Sequence, residues 1–214
     1  MDMPSQTTKR PTALAIWLVI AGVVGLIAAF QLTIEKFDAL EATIADPNGT
    51  HAASCDISPI VQCTVNLNSA QGSVFGFPNP VLGLICWTAP LVVGMAILAG
   101  ARFGKWFWIL YTAGHTFAFG FVCWLIYQSI FKLGTLCPWC MVTWAVTIPS
   151  FFAVVLHSVR IGAIPLGEKM KRIANTLMSW LPLIVTAAFL IIAVIAMIQL
   201  PILDWIFYDV LQLG

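Results

Sequence analysis

Five stretches of the chain are apolar for about 20 residues each, the length a helix needs to cross a hydrocarbon core. They lie at roughly 13–34, 79–100, 106–131, 137–159 and 178–201, and each predicts a membrane-spanning helix. The first follows Lys9 and Arg10 and so has the flank of a signal peptide. Its apolar run of about 20 residues exceeds the usual 7–15 of a signal h-region, so a retained helix is expected. Polar sequence divides the spans unevenly. Residues 35–78 form the longest segment outside the membrane, 160–177 read as a short polar joint, and 202–214 as a tail too small for a domain. With no long linker, repeat or low-complexity stretch, the pattern predicts one all-α integral membrane domain over 1–214.

Charge orients the spans. Lys9 and Arg10 precede the first, Arg102 and Lys105 lie between the second and third, and Arg160, Lys169, Lys171 and Arg172 lie between the fourth and fifth. Eight of the ten basic residues thus share one side, which the positive-inside rule makes cytoplasmic. Lys36, Lys132 and the acids Glu35, Asp38, Glu41, Asp46, Asp56, Asp204 and Asp209 take the other. The expected topology is N-terminus in and C-terminus out, with the loop 35–78 extracytoplasmic. Composition agrees: 60% of residues are apolar and 9% charged, with a mean hydropathy of +0.95. The net charge of +1 gives no reason to expect nucleic acid.

Four of six cysteines fall on the outer, oxidising side, where disulfides persist. Cys137 and Cys140 form "CPWC" at the start of the fourth span. Pro138 suits the first turn of a helix, which puts Cys137 at the helix N-terminus, where the macrodipole and free N–H groups favour a thiolate. Cys140, one turn deeper on the same face, is placed to meet a lipid-soluble molecule while its partner meets a protein thiol. A structural disulfide is a second reading. A zinc site is a third, since Cys55, Cys63 and His51 offer further ligands. The pair Cys55 and Cys63 is by itself compatible with an ordinary loop disulfide; beside "CPWC" it also suits a relay, because exchange passes two electrons between adjacent pairs. The segment "SVFGFPNP" carries Phe75 and Phe77, then breaks at Pro78 and Pro80, and could fold back over the bundle mouth.

A C-x7-C pair in the outer loop, then "SVFGFPNPVLGL", then "CPWC" opening a later helix, resembles the vitamin K epoxide reductase family in its bacterial form, over Cys55 to about residue 158. The resemblance implies a four-helix transmembrane bundle enclosing a quinone, with a fifth helix beside it. It implies that Cys55 meets the partner thiol, Cys63 carries electrons to Cys137, and Cys140 reduces the quinone. Ser69 matches a serine of the family loop, and Ser69, Phe75, Phe77 and Trp144 are the candidate quinone pocket. Where vertebrate members carry an Asn in the loop and a Tyr after the second active cysteine, this chain has Gly72 and Trp144, which favours quinone over epoxide chemistry. No further C-x-x-C follows to Gly214, so the partner is expected to be a separate thioredoxin-fold (DsbA-like) protein.

The function expected is a thiol:quinone oxidoreductase of the plasma membrane. It would use menaquinone or ubiquinone and no metal, sit among membrane lipid, and keep an extracytoplasmic folding catalyst oxidised. The DsbB oxidases also carry two cysteine pairs, but there C-x-x-C comes first along the chain. The alternatives are an epoxide reductase proper and a non-enzymatic membrane protein with structural disulfides. A transporter would need more polar residues in the spans. Cys86 and Cys123 are expected to be buried small apolar residues. His115 lies about 24 Å below the outer end of its helix at 1.5 Å per residue, which suits an interhelical hydrogen bond rather than proton donation at Cys140. His51 is expected to be a solvated loop residue, and Asn48-Gly49-Thr50 is a glycosylation acceptor only in a eukaryotic secretory pathway.

Overall fold

A computed structural model describes residues 11–46 and 52–201. Lys9, Arg10, the Asn48-Gly49-Thr50 triplet, His51, Asp204, Asp209 and Gly214 lie outside the described residues. In chain order the elements are α1 (Thr12–Ala45), α2 (Thr64–Asn68), a 3-10 turn (Ala70–Ser73), α3 (Asn79–Leu98), α4 (Lys105–Gln128) running into a π-helical turn (Ser129–Leu133), α5 (Pro138–Arg160), α6 (Gly167–Ser179) and α7 (Leu181–Gln199). Helices α1, α3, α4 with its π turn, α5 and α7 are long and apolar enough to cross a membrane. The protein is an all-α membrane protein.

Lipid tails are as apolar as leucine, so helices associate in a bilayer by close packing and hydrogen bonds rather than by leaving water. Small residues on α1 and α3 permit that approach. A Cβ on Gly22 would lie 2.7 Å from the Leu91 backbone, one on Gly94 2.7 Å from the Ala15 carbonyl, and one on Gly25 inside the Trp87 ring. Helix α5 packs between α1 and α4. The Trp17 indole N–H donates to the Ser150 hydroxyl at 3.0 Å, and the Thr112 and Ser158 hydroxyls pair at 2.8 Å. Helix α7 leans on the outside of α5 and buries only Ala196. The result is a four-helix bundle of α1, α3, α4 and α5 with a fifth helix beside it.

Two stretches differ from their sequence reading. Helix α1 does not stop near residue 34 but continues to Ala45. From Glu35 onward there is no Gly or Pro until Pro47, and Ala, Leu, Glu and Lys are good helix formers. At 34 residues the helix is about 51 Å long, well beyond the ~30 Å of a hydrocarbon core. The "polar joint" is largely helix α6. Its apolar residues Met170, Ile173, Ala174, Leu177 and Met178 follow helical spacing, and Ala174 packs on Leu156 and Val159 of α5.

Candidate functional site

The site forms where the α1 extension, the loop after it, and the start of α5 meet. The extension is the platform. Glu35 accepts from the Ser54 amide at 3.0 Å and from the Ser54 hydroxyl. Lys36 donates to the Leu67 carbonyl at 3.0 Å and to Asn68 Oδ1 at 2.9 Å. Between these anchors Cys55 and Cys63 are joined in a disulfide.

Asp56 caps the short helix that follows. Its carboxylate accepts from the Cys63 N–H at 2.7 Å, the Thr64 N–H at 3.1 Å and the Thr64 hydroxyl at 2.6 Å. Burial pushes the Asp56 carboxyl up, but the Thr64 and Cys63 donors together outweigh it and hold it below its ordinary value of 3.8. Hydrogen bonds to the charged form favour that form.

The loop is tied in register to α5. Gln62 donates to the Leu136 carbonyl at 3.0 Å, and Leu136 donates back to Ile60 at 2.8 Å. This one parallel bridge lies immediately before both Cys63 and Cys137. Asn66 adds a side-chain tie to Thr135 at 2.9 Å and accepts from Ser129 of the π turn at 3.3 Å. The outcome is that Cys137 Sγ sits 3.4 Å from Cys63 Sγ.

Cys137 is the N-cap of α5, and its sulfur accepts from the Cys140 N–H at 3.4 Å. The Cys140 side chain first, then the N–H groups of Cys140 and Trp139, lower the Cys137 thiol from its ordinary value of 9.0; burial and the Asp56 charge push the other way and lose. Leu32, Leu67 and Trp139 close around the sulfurs. Cys63 and Cys137 are wholly buried and Cys55 is 8% exposed.

Cys140 opens onto a cavity of about 690 Å³. On α5 its wall continues through Trp144 and Thr147, one stripe at helical spacing, and facing walls come from α3 and α4. The lining runs along α4 from Trp106 to Gln128, about 33 Å at 1.5 Å per residue. Polar groups gather at the cysteine end: Asn66, Ser69, Gln71, Asn79 and Gln128. The segment 69–79 does fold over the mouth. Gln71 bonds Gln128 at 3.3 Å and Asn79 bonds the Gln71 carbonyl at 2.6 Å. At the far end the Tyr111 hydroxyl is buried with no hydrogen-bond partner among the described residues.

Of the pocket residues expected from sequence, Ser69 and Trp144 line the cavity. The Ser69 hydroxyl is engaged by its own loop, donating to the Asn66 carbonyl at 2.8 Å and accepting from Gly72 N–H at 3.1 Å. Phe75 and Phe77 are exposed and stand outside the lining. Phe75 reaches it through Phe121, with ring centroids 5.7 Å apart. Two sequence expectations need correction. Cys86 and Cys123 are exposed rather than buried: Cys86 stands on the cavity wall, and Cys123, on α4, is not part of that lining. Among the described residues His115 makes no interhelical bond; its ring stays on its own helix, 3.0 Å from the Tyr111 carbonyl, and lines the cavity.

Sequence reasoning missed Glu35, Asn66, Gln71 and Gln128. Only Glu35 left a signal, as the first charge after the apolar run of α1. Cys55, Asp56 and Cys63 also place possible metal ligand atoms within 4.8 Å of one another. The two sulfurs are bonded to each other, however, and the carboxylate is a cap, so this cluster is a capped disulfide.

A sequence model described as the vitamin K epoxide reductase family matches residues 16–155, from within α1 to within α5.

Proposed function

The chain belongs to the vitamin K epoxide reductase family, and from that premise we propose that it is a thiol:quinone oxidoreductase that oxidises a thioredoxin-fold (DsbA-like) partner. Membership implies oxidoreductase chemistry linked to quinones, or to an epoxide, in a multi-pass membrane protein. The observation that carries the finer reading is the 3.4 Å approach of Cys63 Sγ to Cys137 Sγ, with Cys140 beyond it on the cavity wall. Two structural disulfides would need no such contact between pairs.

A partner thiolate attacks Cys55 Sγ, the Cys55–Cys63 bond breaks, and Cys63 leaves as a thiolate. The partner's second thiolate displaces Cys55 and leaves as an oxidised disulfide. Cys63 then attacks Cys137 of an oxidised Cys137–Cys140 pair, and Cys140 leaves as a thiolate. Cys55 resolves on Cys63, and Cys137 is freed. The loop pair is again a disulfide and the inner pair a dithiol, the redox arrangement described above. The N–H groups around Cys137 stabilise it as a leaving thiolate.

The cavity fits a quinone by its own chemistry. Its walls are apolar, its length matches a head group with an isoprenoid tail, and Cys140 shares the lining with the amide of Gln128, whose oxygen accepts from Gln71 and whose N–H2 can donate to a carbonyl oxygen. When bound, a quinone supplies a two-electron, two-proton acceptor, and Cys137 and Cys140 return to a disulfide. Trp144 offers no phenolic hydroxyl at its place in the wall, which favours quinone over epoxide reduction. The charge pattern supports an N-terminus inside, a C-terminus outside and a site on the extracytoplasmic face of the plasma membrane. Ser69 and Trp144 belong to the pocket, with Phe75 and Phe77 at its rim.

The test is to give the purified protein a reduced thioredoxin-fold protein and follow reduction of menaquinone and ubiquinone analogues. Turnover that disappears in Cys63→Ala supports the reading. Partner oxidation that never yields quinol defeats it.

A further inference from the structure

We propose that Glu35 is a positioning residue that sets how readily an incoming dithiol reaches Cys55. The inference rests on the reading that Cys55 receives the partner. With Cys55 8% exposed and Cys63 at 0%, a protein thiolate cannot line up on the Cys55–Cys63 bond until the covering chain moves, and exchange depends on access to the attacked sulfur.

The two halves of that disulfide are held by different contacts, and only the Cys55 half is held from α1 through Glu35. On the Cys63 side, Asp56 holds the Cys63 and Thr64 amides, and the bridge to Leu136 holds the chain just before Cys63. These contacts keep Cys63 against Cys137. On the Cys55 side, the preceding residue is held from α1. Both Ser54 donors end on the Glu35 carboxylate, and the Ala53 amide donates to Thr64 Oγ1 at 2.8 Å. Releasing Glu35 therefore takes away the hold of α1 on Ser54, the residue before Cys55, and leaves the Ala53 tie to Thr64 as the remaining restraint there, while Cys63 stays in place.

The latch suits repeated opening. Its hydrogen bonds are exposed, so water replaces them when they part. The next residue, Lys36, keeps its own hold on Leu67 and Asn68, so α1 remains docked on the loop when Glu35 lets go. With the latch open, the partner thiolate bonds Cys55 and Cys63 leaves as a thiolate, already beside Cys137.

The experiment uses the full chain in detergent and the variants Glu35→Gln and Glu35→Ala. It measures the rate at which the Cys55–Cys63 bond is opened by a reduced thioredoxin-fold protein and by dithiothreitol, together with amide exchange at Ser54, Cys63 and Thr64. Glu35→Ala, which removes both bonds from Ser54, is expected to speed opening by about threefold to tenfold, the low end of what two hydrogen bonds allow because water replaces them at this exposed site. Glu35→Gln should fall between it and the parent. Protection should be lost at Ser54 and kept at Cys63 and Thr64, which a general loosening would not do. Glu41→Gln, on the same helix, should leave the rate alone. Unchanged or slower opening, an equal effect of Glu41→Gln, or loss of protection at all three amides would overturn the role of Glu35 and leave the relay standing. A partner adduct that survives Cys55→Ala would overturn the relay order, and the proposal with it.

Discussion

Cys63 and Cys137, 74 residues apart, hold their sulfurs 3.4 Å from each other at the mouth of the bundle. Neither is brought there by its own side chain. The backbone bridge between residues 60–62 and Leu136 fixes the two chains, Asp56 fixes the Cys63 amide, and the first turn of α5 fixes Cys137. A disulfide whose only task was to staple the loop would need none of the three.

The first prediction follows from that contact. A mixed disulfide persists when its resolving cysteine is missing. Cys63→Ala should therefore trap the thioredoxin-fold partner on Cys55, visible as a reducible adduct on a non-reducing gel of membranes. The adduct should vanish when Cys55→Ala is added. An adduct formed without Cys55 would require a different order of transfer.

Cys140 is the cysteine on the cavity wall. Cys140→Ala should abolish quinone reduction and leave Cys55 able to exchange with thiols. Cys137 would then lack its own resolving partner, so a Cys63–Cys137 disulfide should accumulate, detectable by mass spectrometry of non-reduced peptides. Quinone turnover retained in Cys140→Ala but lost in Cys137→Ala would invert the two roles.

Five spans were legible because about 20 apolar residues in a row have few other uses, and "CPWC" was legible because Pro138 marks the first turn of a helix. The α1 extension was not. Once Phe37, Leu40 and Ile44 are diluted by Asp38 and Glu41, hydropathy falls although helix propensity does not. Helix α6 was hidden for the same reason, since its Lys and Arg residues mask an apolar stripe. The Gln62–Leu136 pairing joins segments far apart in sequence and leaves no local pattern. Phe75 and Phe77 illustrate the limit of an aromatic signal, which reports a nearby membrane or cavity without saying which side of the wall the ring takes.

Packing in α1 and α3 depends on the absence of side chains. Gly94→Val should overpack against the Ala15 carbonyl and Val19 and cost about 1–3 kcal/mol or more, read as a lower melting temperature in detergent. Gly120→Ala, whose Cβ would meet nothing within 4 Å, should leave the melting temperature unchanged. Equal behaviour of the two would remove close helix approach as the reason for Gly94.

Helix α6 follows the end of α5 opposite to the cysteines, so Lys169 should lie across the membrane from Cys137. An impermeant thiol reagent applied to intact cells is expected to miss Lys169→Cys and to label it after permeabilisation. Labelling of Lys169→Cys before permeabilisation would reverse the orientation inferred from the basic residues.

The last prediction concerns Asp56 and pH. Its carboxyl is held below the ordinary 3.8 in the folded protein by donors from Thr64 and Cys63. A group whose folded value is depressed contributes stability that is complete above its unfolded value and is lost as pH falls through the folded one. Protection of the Cys63 and Thr64 amides, measured as exchange relative to an unfolded peptide, should therefore stay level from neutral pH down to about 4, near the unfolded value, and fall below that. Asp56→Asn keeps the shape and removes the titration, so its protection should start lower and show no such break. The distance between Cys63 and Cys137 depends on the same cap. Electron transfer from the loop pair to the inner pair should weaken in the acid range with the cap, and the Asn variant should lose that acid step. A break in protection that persists in Asp56→Asn would assign it to another carboxylate and take Asp56 out of the mechanism.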